Sequence, residues 1–267
     1  MKRKLLILIM LLPALLFAQQ NTERWGACVR FNDTAVIFNH HESFALHSVM
    51  KFPQAIYVAD YLNRNGLALT DTIVVDKAKL MQDTWSPMLK MFEGRRAFSY
   101  AELLELSLAQ SDNNACDILF KHCGKPKAVT KFLHNHGFRE IHIRFTERQL
   151  HKNPAKAIKN SSTPYEMVSL FQWFFRHKDD NQYLTFVWNT MANCSTGLKR
   201  IPAAIPEGAT IVHKTGTGFP NGDGTQDMND AGVVILPDGR CVFIAIFIPN
   251  SKSENEISEL AKQMLPK

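Results

Sequence analysis

Ser48 and Lys51 stand three residues apart where an apolar, helix-like run begins, in His47-Ser48-Val49-Met50-Lys51-Phe52-Pro53. Residues at i and i+3 of a helix face the same way. A serine hydroxyl in water is a weak nucleophile, and it attacks a carbonyl only when a neighbour takes its proton. Lys51 is placed to be that neighbour. A Ser-x-x-Lys pair is expected about once by chance in a chain of this length, so its meaning depends on what else the chain supplies. Two further clusters carry matching chemistry. Ser111-Asp112-Asn113 offers a hydroxyl and an amide between two helix-like segments. Lys214-Thr215-Gly216-Thr217-Gly218 adds a second amine at the end of a strand-like run.

The rest of the chain supplies elements to position these groups. Residues 25–31 and 34–38 are short β-rich runs joined by Asn32-Asp33, the composition of a hairpin. Residues 54–65 predict a helix stopped at Gly66, and residues 72–75 a short extended piece. Residues 83–98, punctuated by Pro87 and Gly94, read as loop. Ser99 with Glu102 three positions on is a capping-box signature ahead of a leucine-rich run to residue 110. Further helices are predicted over residues 113–123, 125–136, 164–177 and 182–191. Residues 141–162 are polar, basic and irregular, and so long a loop in a compact domain is usually functional or disordered. Strands return over residues 210–214, 230–236 and 240–248, the last two joined by Pro237-Asp238-Gly239, and residues 253–264 predict a closing amphipathic helix. Two β-rich ends around a helical middle imply an α/β (α+β) chain. Residues 19–45 and 201–267 would form a discontinuous sheet-containing lobe, and residues 46–200 an inserted all-helical lobe.

Composition excludes several classes. With 45% hydrophobic and 21% charged residues the chain has the make-up of an ordinary globular protein. Half of the formal charge of +6 sits on Lys2, Arg3 and Lys4, and the remainder is too mild and scattered for a nucleic-acid surface. Those three residues open a leader, followed by an apolar run over residues 5–17 and by Ala18-Gln19-Gln20 as a cleavage region. Residues 1–18 therefore predict a secretory signal peptide, since the apolar run falls short of the roughly 20 residues that span a bilayer. The expected location is the periplasm or the medium, with no membrane attachment after cleavage. Five cysteines would then enter an oxidising compartment, the odd number leaving at least one unpaired. Cys116 and Cys123 would be about 10 Å apart along one continuous helix, too far to bridge. No Cys-x-x-Cys, His-x-x-x-His or His-Glu-x-x-His spacing occurs, so neither a metal nor another cofactor is expected. Nothing calls for more than a monomer.

Ser-x-x-Lys, Ser-Asp-Asn and Lys-Thr-Gly, in this order and within this β/α/β pattern, resemble the class A β-lactamases and their penicillin-binding relatives over essentially the whole mature length. The resemblance implies a β-lactamase/DD-peptidase-like fold, an antiparallel sheet flanked by helices plus the inserted helical lobe. It also implies hydrolysis of a small-molecule β-lactam through a serine acyl-enzyme. Ser48 would attack the lactam carbonyl, with the backbone N–H groups of Ser48 and Thr217 as the oxyanion hole and the dipole of a helix starting at Ser48 behind it. Lys51 would be buried beside Ser48, where desolvation makes it a useful base. Ser111 would relay a proton to the leaving nitrogen. Lys214 would hold that hydroxyl and, with Thr215, draw the substrate carboxylate. Asn113 would bond Lys51 and the substrate's side-chain amide.

Acylation alone would make a DD-peptidase or a penicillin sensor, the alternative readings. A β-lactamase of this class also needs a glutamate in a long loop, and Glu147, in Arg144-Phe145-Thr146-Glu147-Arg148-Gln149-Leu150-His151, has the family's spacing from Ser111. The loop departs from the commonest pattern. Phe145 and Asn160 stand where an arginine and an aspartate normally close its neck by a salt bridge. His151 replaces an asparagine that helps hold the hydrolytic water. The same departures, and Thr84-Trp85-Ser86-Pro87, resemble a branch rich in extended-spectrum, cephalosporin-hydrolysing enzymes from Bacteroidetes-like bacteria. A reshaped, wider loop and a preference for cephalosporins are expected. Arg200 is expected as the second cation for the substrate carboxylate, because residues 229–236 hold no Arg or Lys. Trp85 is expected either at the pocket rim or as a packing residue, and Asp112, His213 and Asn229 as supports. Relatives carry a helix between leader and first strand, yet few residues separate Ala18 from Trp25. Either that helix is missing, or the apolar leader packs into the fold, or the start is truncated.

Overall fold

The computed structural model describes Leu6–Ile7 and residues 24–266. Apart from the backbone of Leu6–Ile7, the predicted signal peptide lies outside the described residues. In chain order the strands are β1 (Leu6–Ile7), β2 (Gly26–Phe31), β3 (Thr34–Phe38), β4 (Phe44–Ala45), β5 (Thr72–Asp76), β6 (Arg95–Ser99), β7 (Ser161–Ser162), β8 (Thr210–Thr217), β9 (Gln226–Ile235) and β10 (Cys241–Ser251). The α-helices are α1 (Lys51–Asn65), α2 (Tyr100–Ala109), α3 (Asn113–Cys123), α4 (Pro126–Asn135), α5 (Glu147–Lys152), α6 (Pro164–His177), α7 (Gln182–Ala192) and α8 (Asn255–Met264).

The two ends of the chain build one six-stranded sheet in the order β1-β3-β2-β10-β9-β8. Every pairing in it is antiparallel except β1 with β3. Asn32 takes a left-handed φ of 52° and Gly239 one of 83°, the backbone that tight hairpin turns demand. Period-two alternation sends each strand's side chains to opposite faces. Val242, Ile244, Ile246 and Ile248 of β10 join Ala27 and Val29 in one core, closed by Ile257, Leu260 and Ala261 of α8. Cys28, Ala245 and Phe247 face the larger core on the other side, with Phe171 and Phe174 of α6.

Helix α1 runs through that larger core, burying Phe52, Ala55, Ile56, Val58, Ala59 and Leu62. It stops at Gly66, whose φ of 63° is the usual left-handed cap. The capping box at α2 is present, Ser99 accepting from the Glu102 N–H while Glu102 accepts from the Ser99 N–H.

Three regions differ from expectation. The helix expected at Ser48 begins as a 3-10 turn, His47–Met50, and becomes α-helical at Lys51. Residues 95–98, read as loop, and Ser99, read as a helix cap, form β6 opposite β5, with Phe98 buried on one face, the Arg96 guanidinium over its ring, and Ala97 and Ser99 on the other face. The irregular stretch 141–162 is largely ordered, with α5, a 3-10 turn at Pro154–Lys159 and β7. All five cysteines are unpaired, Cys116 and Cys123 lying on the single helix α3.

Candidate active site

Ser48 sits in the 3-10 turn, and the chain approaches it through His47, a non-glycine residue at φ 48°. Such a backbone persists only when its surroundings impose it. Asp227 holds the His47 ring at 2.9 Å. Asn229 of β9 donates to the carbonyls of Ala45 and Leu46 at 2.7 and 3.3 Å. Gly216 of β8 lies so close that a Cβ there would meet the Leu46 carbonyl oxygen at 2.5 Å. A glycine is thus required where β8 nears the Ser48 turn.

Lys51, fully buried, is the hub. Its Nζ lies 2.9 Å from Ser48 Oγ, 2.9 Å from the Ser111 carbonyl, 2.6 Å from Asn113 Oδ1 and 3.0 Å from Glu147 Oε1. An ammonium has three protons for these four oxygens. Glu147 is the one left in ion-pair contact without a directed hydrogen bond, its Oε1 otherwise unpartnered. Loss of one proton from Nζ would leave a lone pair facing the Ser48 hydroxyl.

Ser111 links the second pair. It has φ 59°, again unusual for a side-chain-bearing residue, and Asp112 fixes the strained corner. The Asp112 carboxylate caps α3 through the Ala115 N–H and also accepts from Ser86 Oγ and the Met88 N–H. The Ser111 hydroxyl accepts from Lys214 Nζ at 2.9 Å. Burial, more than any other influence, brings Lys214 down from 10.5 to about 8, with Lys51 and Arg200 adding like charge.

Arg200 is buried and not on the surface. It donates to the carbonyls of Gly216 and Asn229 and to Thr217 Oγ1 at 2.7 Å, and pairs with Glu254 at 2.8 Å. Asn113 also donates to Thr84 Oγ1 at 2.9 Å. Trp85 is 63% exposed, a rim residue and not a packed one, its Nε1 donating to the Gln110 carbonyl. His151 faces Asp83 at 3.8 Å and lies beside the Phe219 ring.

Glu147 begins α5, and Thr146 caps it in a capping box with Gln149. The loop's neck is closed by Asn160, which is fully buried. Its Oδ1 accepts from the N–H groups of Arg144 and Phe145 at 2.8 and 2.9 Å, and its Nδ2 donates to the Phe145 carbonyl. Its own carbonyl accepts from the Leu46 N–H at 2.7 Å, joining the loop to the segment before Ser48.

Three residues of this assembly escaped the sequence reading: Asp117, Asp227 and Glu254. Asp117 had a local signal, being four residues after Asn113 and so on the same helix face. Its carboxylate accepts from the Glu147 and Arg148 N–H groups at 2.7 and 2.9 Å. Burial first, then the Glu147 charge, pushes Asp117 from 3.8 up to about 7 despite these bonds. A carboxyl that holds its proton more tightly folded than unfolded favours the folded state at low pH, and that advantage fades as pH rises from about 4 to about 7. Thermal unfolding followed across this window should show stability falling with pH, and Asp117→Asn should flatten that fall. An equally steep fall in the variant would count against the assignment.

The family follows from comparison. A family model described as the beta-lactamase enzyme family matches residues 12–265. The chain belongs to it. Beta-lactamase VEB-1 of Pseudomonas aeruginosa is 34% identical over 83% of this chain and 75% of its own length. A beta-lactamase of Bacteroides uniformis is 33% identical over 82% and 75%. Among solved structures, the TLA-3 extended-spectrum beta-lactamase superposes with a TM-score of 0.88 at 29% identity, covering 92% of this chain and 94% of that one. A class A beta-lactamase from Bacteroides cellulosilyticus superposes with a TM-score of 0.86 at 29% identity, with 92% of each chain covered. The fold is therefore that of the class A β-lactamases.

Proposed function

We propose that Ser48 is the nucleophile and Glu147 the deacylation base of this class A β-lactamase, which opens β-lactams through a serine acyl-enzyme. The observation that carries this is Lys51 Nζ, within 3.0 Å of both Ser48 Oγ and Glu147 Oε1. In acylation Lys51, or Glu147 through water, takes the Ser48 proton as Oγ bonds to the lactam carbonyl carbon. The developing oxyanion meets the backbone N–H groups of Ser48 and Thr217. As the C–N bond breaks, Ser111 passes its proton to the lactam nitrogen and is resupplied from Lys214. Lys214, Thr215 and Arg200, the last working through Thr217, draw the substrate carboxylate, while Asn113 binds its side-chain amide. Glu147 then takes a proton from water as that water attacks the ester carbonyl carbon; the C–Oγ bond breaks, and the proton passes on to Ser48 Oγ, which frees the serine. His151, four residues after Glu147 and so on the same face of α5, lies between Asp83 and Phe219, where it is placed to meet the substrate.

We further infer a preference for cephalosporins. It is supported by the Asn160 neck, by exposed Trp85 at the rim, and by relatives such as the extended-spectrum beta-lactamase PER-1, 30% identical over 84% of this chain. Export fits the leader at residues 1–18, and the two-lobe division at residues 45 and 201 fits a sheet drawn from both chain ends. One experiment tests the reading: incubation with a chromogenic cephalosporin while hydrolysis and intact protein mass are followed together. Rapid turnover, faster for a bulky oxyimino-cephalosporin than for a small penicillin, is expected. A lasting adduct without turnover would instead identify a DD-peptidase or sensor, and preference for the penicillin would overturn the cephalosporin assignment.

A further inference from the structure

Several surface cations are paired: Arg24, Arg64, Lys77, Arg95, Arg96 and Arg240 each meet a carboxylate. Residues 121–159 depart from this. They hold ten Lys and Arg against Glu140 and Glu147 alone, a local excess of eight positive charges in a chain whose whole formal charge is +6. None of the ten has a carboxylate within 4.0 Å among the described residues. Charge that is mild over the whole chain is concentrated here.

The fold gathers these cations along two adjoining open cavities. The first, of about 990 Å³, lies between the β5–β6 pair, α3 and the start of α5, and is rimmed by Lys79, Lys121, Lys125, Lys127, Arg144 and Arg148. The second, of about 690 Å³, runs between α4 and residues 142–145 and adds Lys131 and Lys159. Lys127 and Arg144 line both, so the two make one trough. Lys127 and Lys131, four apart, share a face of α4. The trough's two carboxylates are already engaged. Asp76 faces Arg95 at 3.5 Å, and Asp117 accepts from the Glu147 and Arg148 N–H groups. Like charges crowded in a concave wall focus a positive field outward. Neither cavity is lined by Ser48, Ser111 or Lys214, so this surface is distinct from the substrate cleft.

Apolar side chains stand among the cations. Val74, 68% exposed, lines the first cavity, and Ile158, 57% exposed, lies between Lys156 and Lys159 beside the second. We propose that this face is a docking surface for an anionic phospholipid bilayer, its lysines meeting lipid phosphates while Ile158 enters the headgroup layer. An apolar side chain projecting amid lysines gains from the acyl boundary of a bilayer and gains nothing from a hydrophilic polyanion. Seven of the ten cations are lysines, flexible point charges that suit a fluid array of headgroups better than the rigid fork of arginine does. No helix among the described residues is long and apolar enough to cross a membrane. Attachment is therefore by surface contact, which the expectation of no membrane attachment after cleavage leaves out.

Partition onto vesicles tests this, with protein purified as the cell exports it. On vesicles of equal parts phosphatidylglycerol and phosphatidylcholine the protein should co-sediment at low salt, and with phosphatidylcholine alone it should stay in solution. Added sodium chloride should release it as screening grows. Each Lys or Arg near an anionic bilayer strengthens partition about fivefold. The triple variant Lys125→Glu, Lys127→Glu, Lys131→Glu should therefore bind at least about a hundredfold more weakly, at a wild-type melting temperature that marks it as folded. Ile158→Ser should weaken lipid binding and Ile158→Trp should tighten it. No binding to the mixed vesicles, equal binding to both kinds, or binding that survives in the triple variant would overturn the proposal. So would indifference to both Ile158 changes. Tighter binding, per phosphate, to a short DNA duplex would also overturn it and make the partner a soluble polyanion.

Discussion

With Glu147 replaced by glutamine, the protein is expected to stop at the acyl-enzyme and accumulate as a covalent adduct visible by intact mass. Glutamine is close to isosteric, and its amide oxygen can still lie beside Lys51, so the surroundings of Ser48 should survive. What disappears is the capacity to take a proton from water. Positioned acid–base catalysis is worth roughly a hundredfold to ten-thousandfold, and deacylation should slow by that factor. Acylation, for which Lys51 is an alternative base 2.9 Å from Ser48 Oγ, should slow less. The measurement is a pre-steady-state burst with a chromogenic cephalosporin, followed by mass analysis. A burst of one equivalent and a slow steady state are expected. Ordinary turnover without a burst would mean that some other group activates the water.

The largest loss of stability at a position outside the proposed chemistry is expected from Asn160→Ala. The wild-type side chain satisfies two buried N–H groups, those of Arg144 and Phe145, and the Phe145 carbonyl. Alanine would leave all three without that partner, at about 1–3 kcal/mol for each buried group that water cannot reach. For a domain of this size about 2–4 °C of melting temperature is lost per kcal/mol, so a fall of the order of 10 °C is expected by calorimetry. The effect should extend to catalysis, because the same loop carries Glu147 and the Asn160 carbonyl binds the Leu46 N–H just before Ser48. Asn160→Asp keeps an oxygen to accept from both N–H groups while losing the donor to the Phe145 carbonyl, and should recover part of the stability. A melting temperature unchanged in Asn160→Ala would show that the neck is held elsewhere.

Much of this was legible from spacing. The three motifs contain Ser48, Lys51, Ser111, Asn113 and Lys214, and the boundaries of β3 and α6 match the expected runs, because hairpin turns and apolar periodicity are local signals. What was not legible depends on tertiary contact. The 3-10 turn at Ser48 is imposed by Gly216, Asn229 and Asp227 from strands far along the chain, so no pattern near residue 48 announces it. β6 was missed because only one of its five side chains, Phe98, is buried, too faint an alternation to read. The partner of Arg200, Glu254, looks like any polar residue at the start of a helix.

The closure of the catalytic loop has one more consequence. A neck bridged by an arginine and an aspartate is an ion pair, and mobile ions in solution weaken it. Here the bridge is the neutral amide of Asn160 bonded to uncharged backbone groups. Added salt finds no charge to shield there, and acid finds no carboxylate to neutralise at that hinge. The neck of the loop that carries Glu147 is therefore latched in a way that brine and buffer strength leave alone.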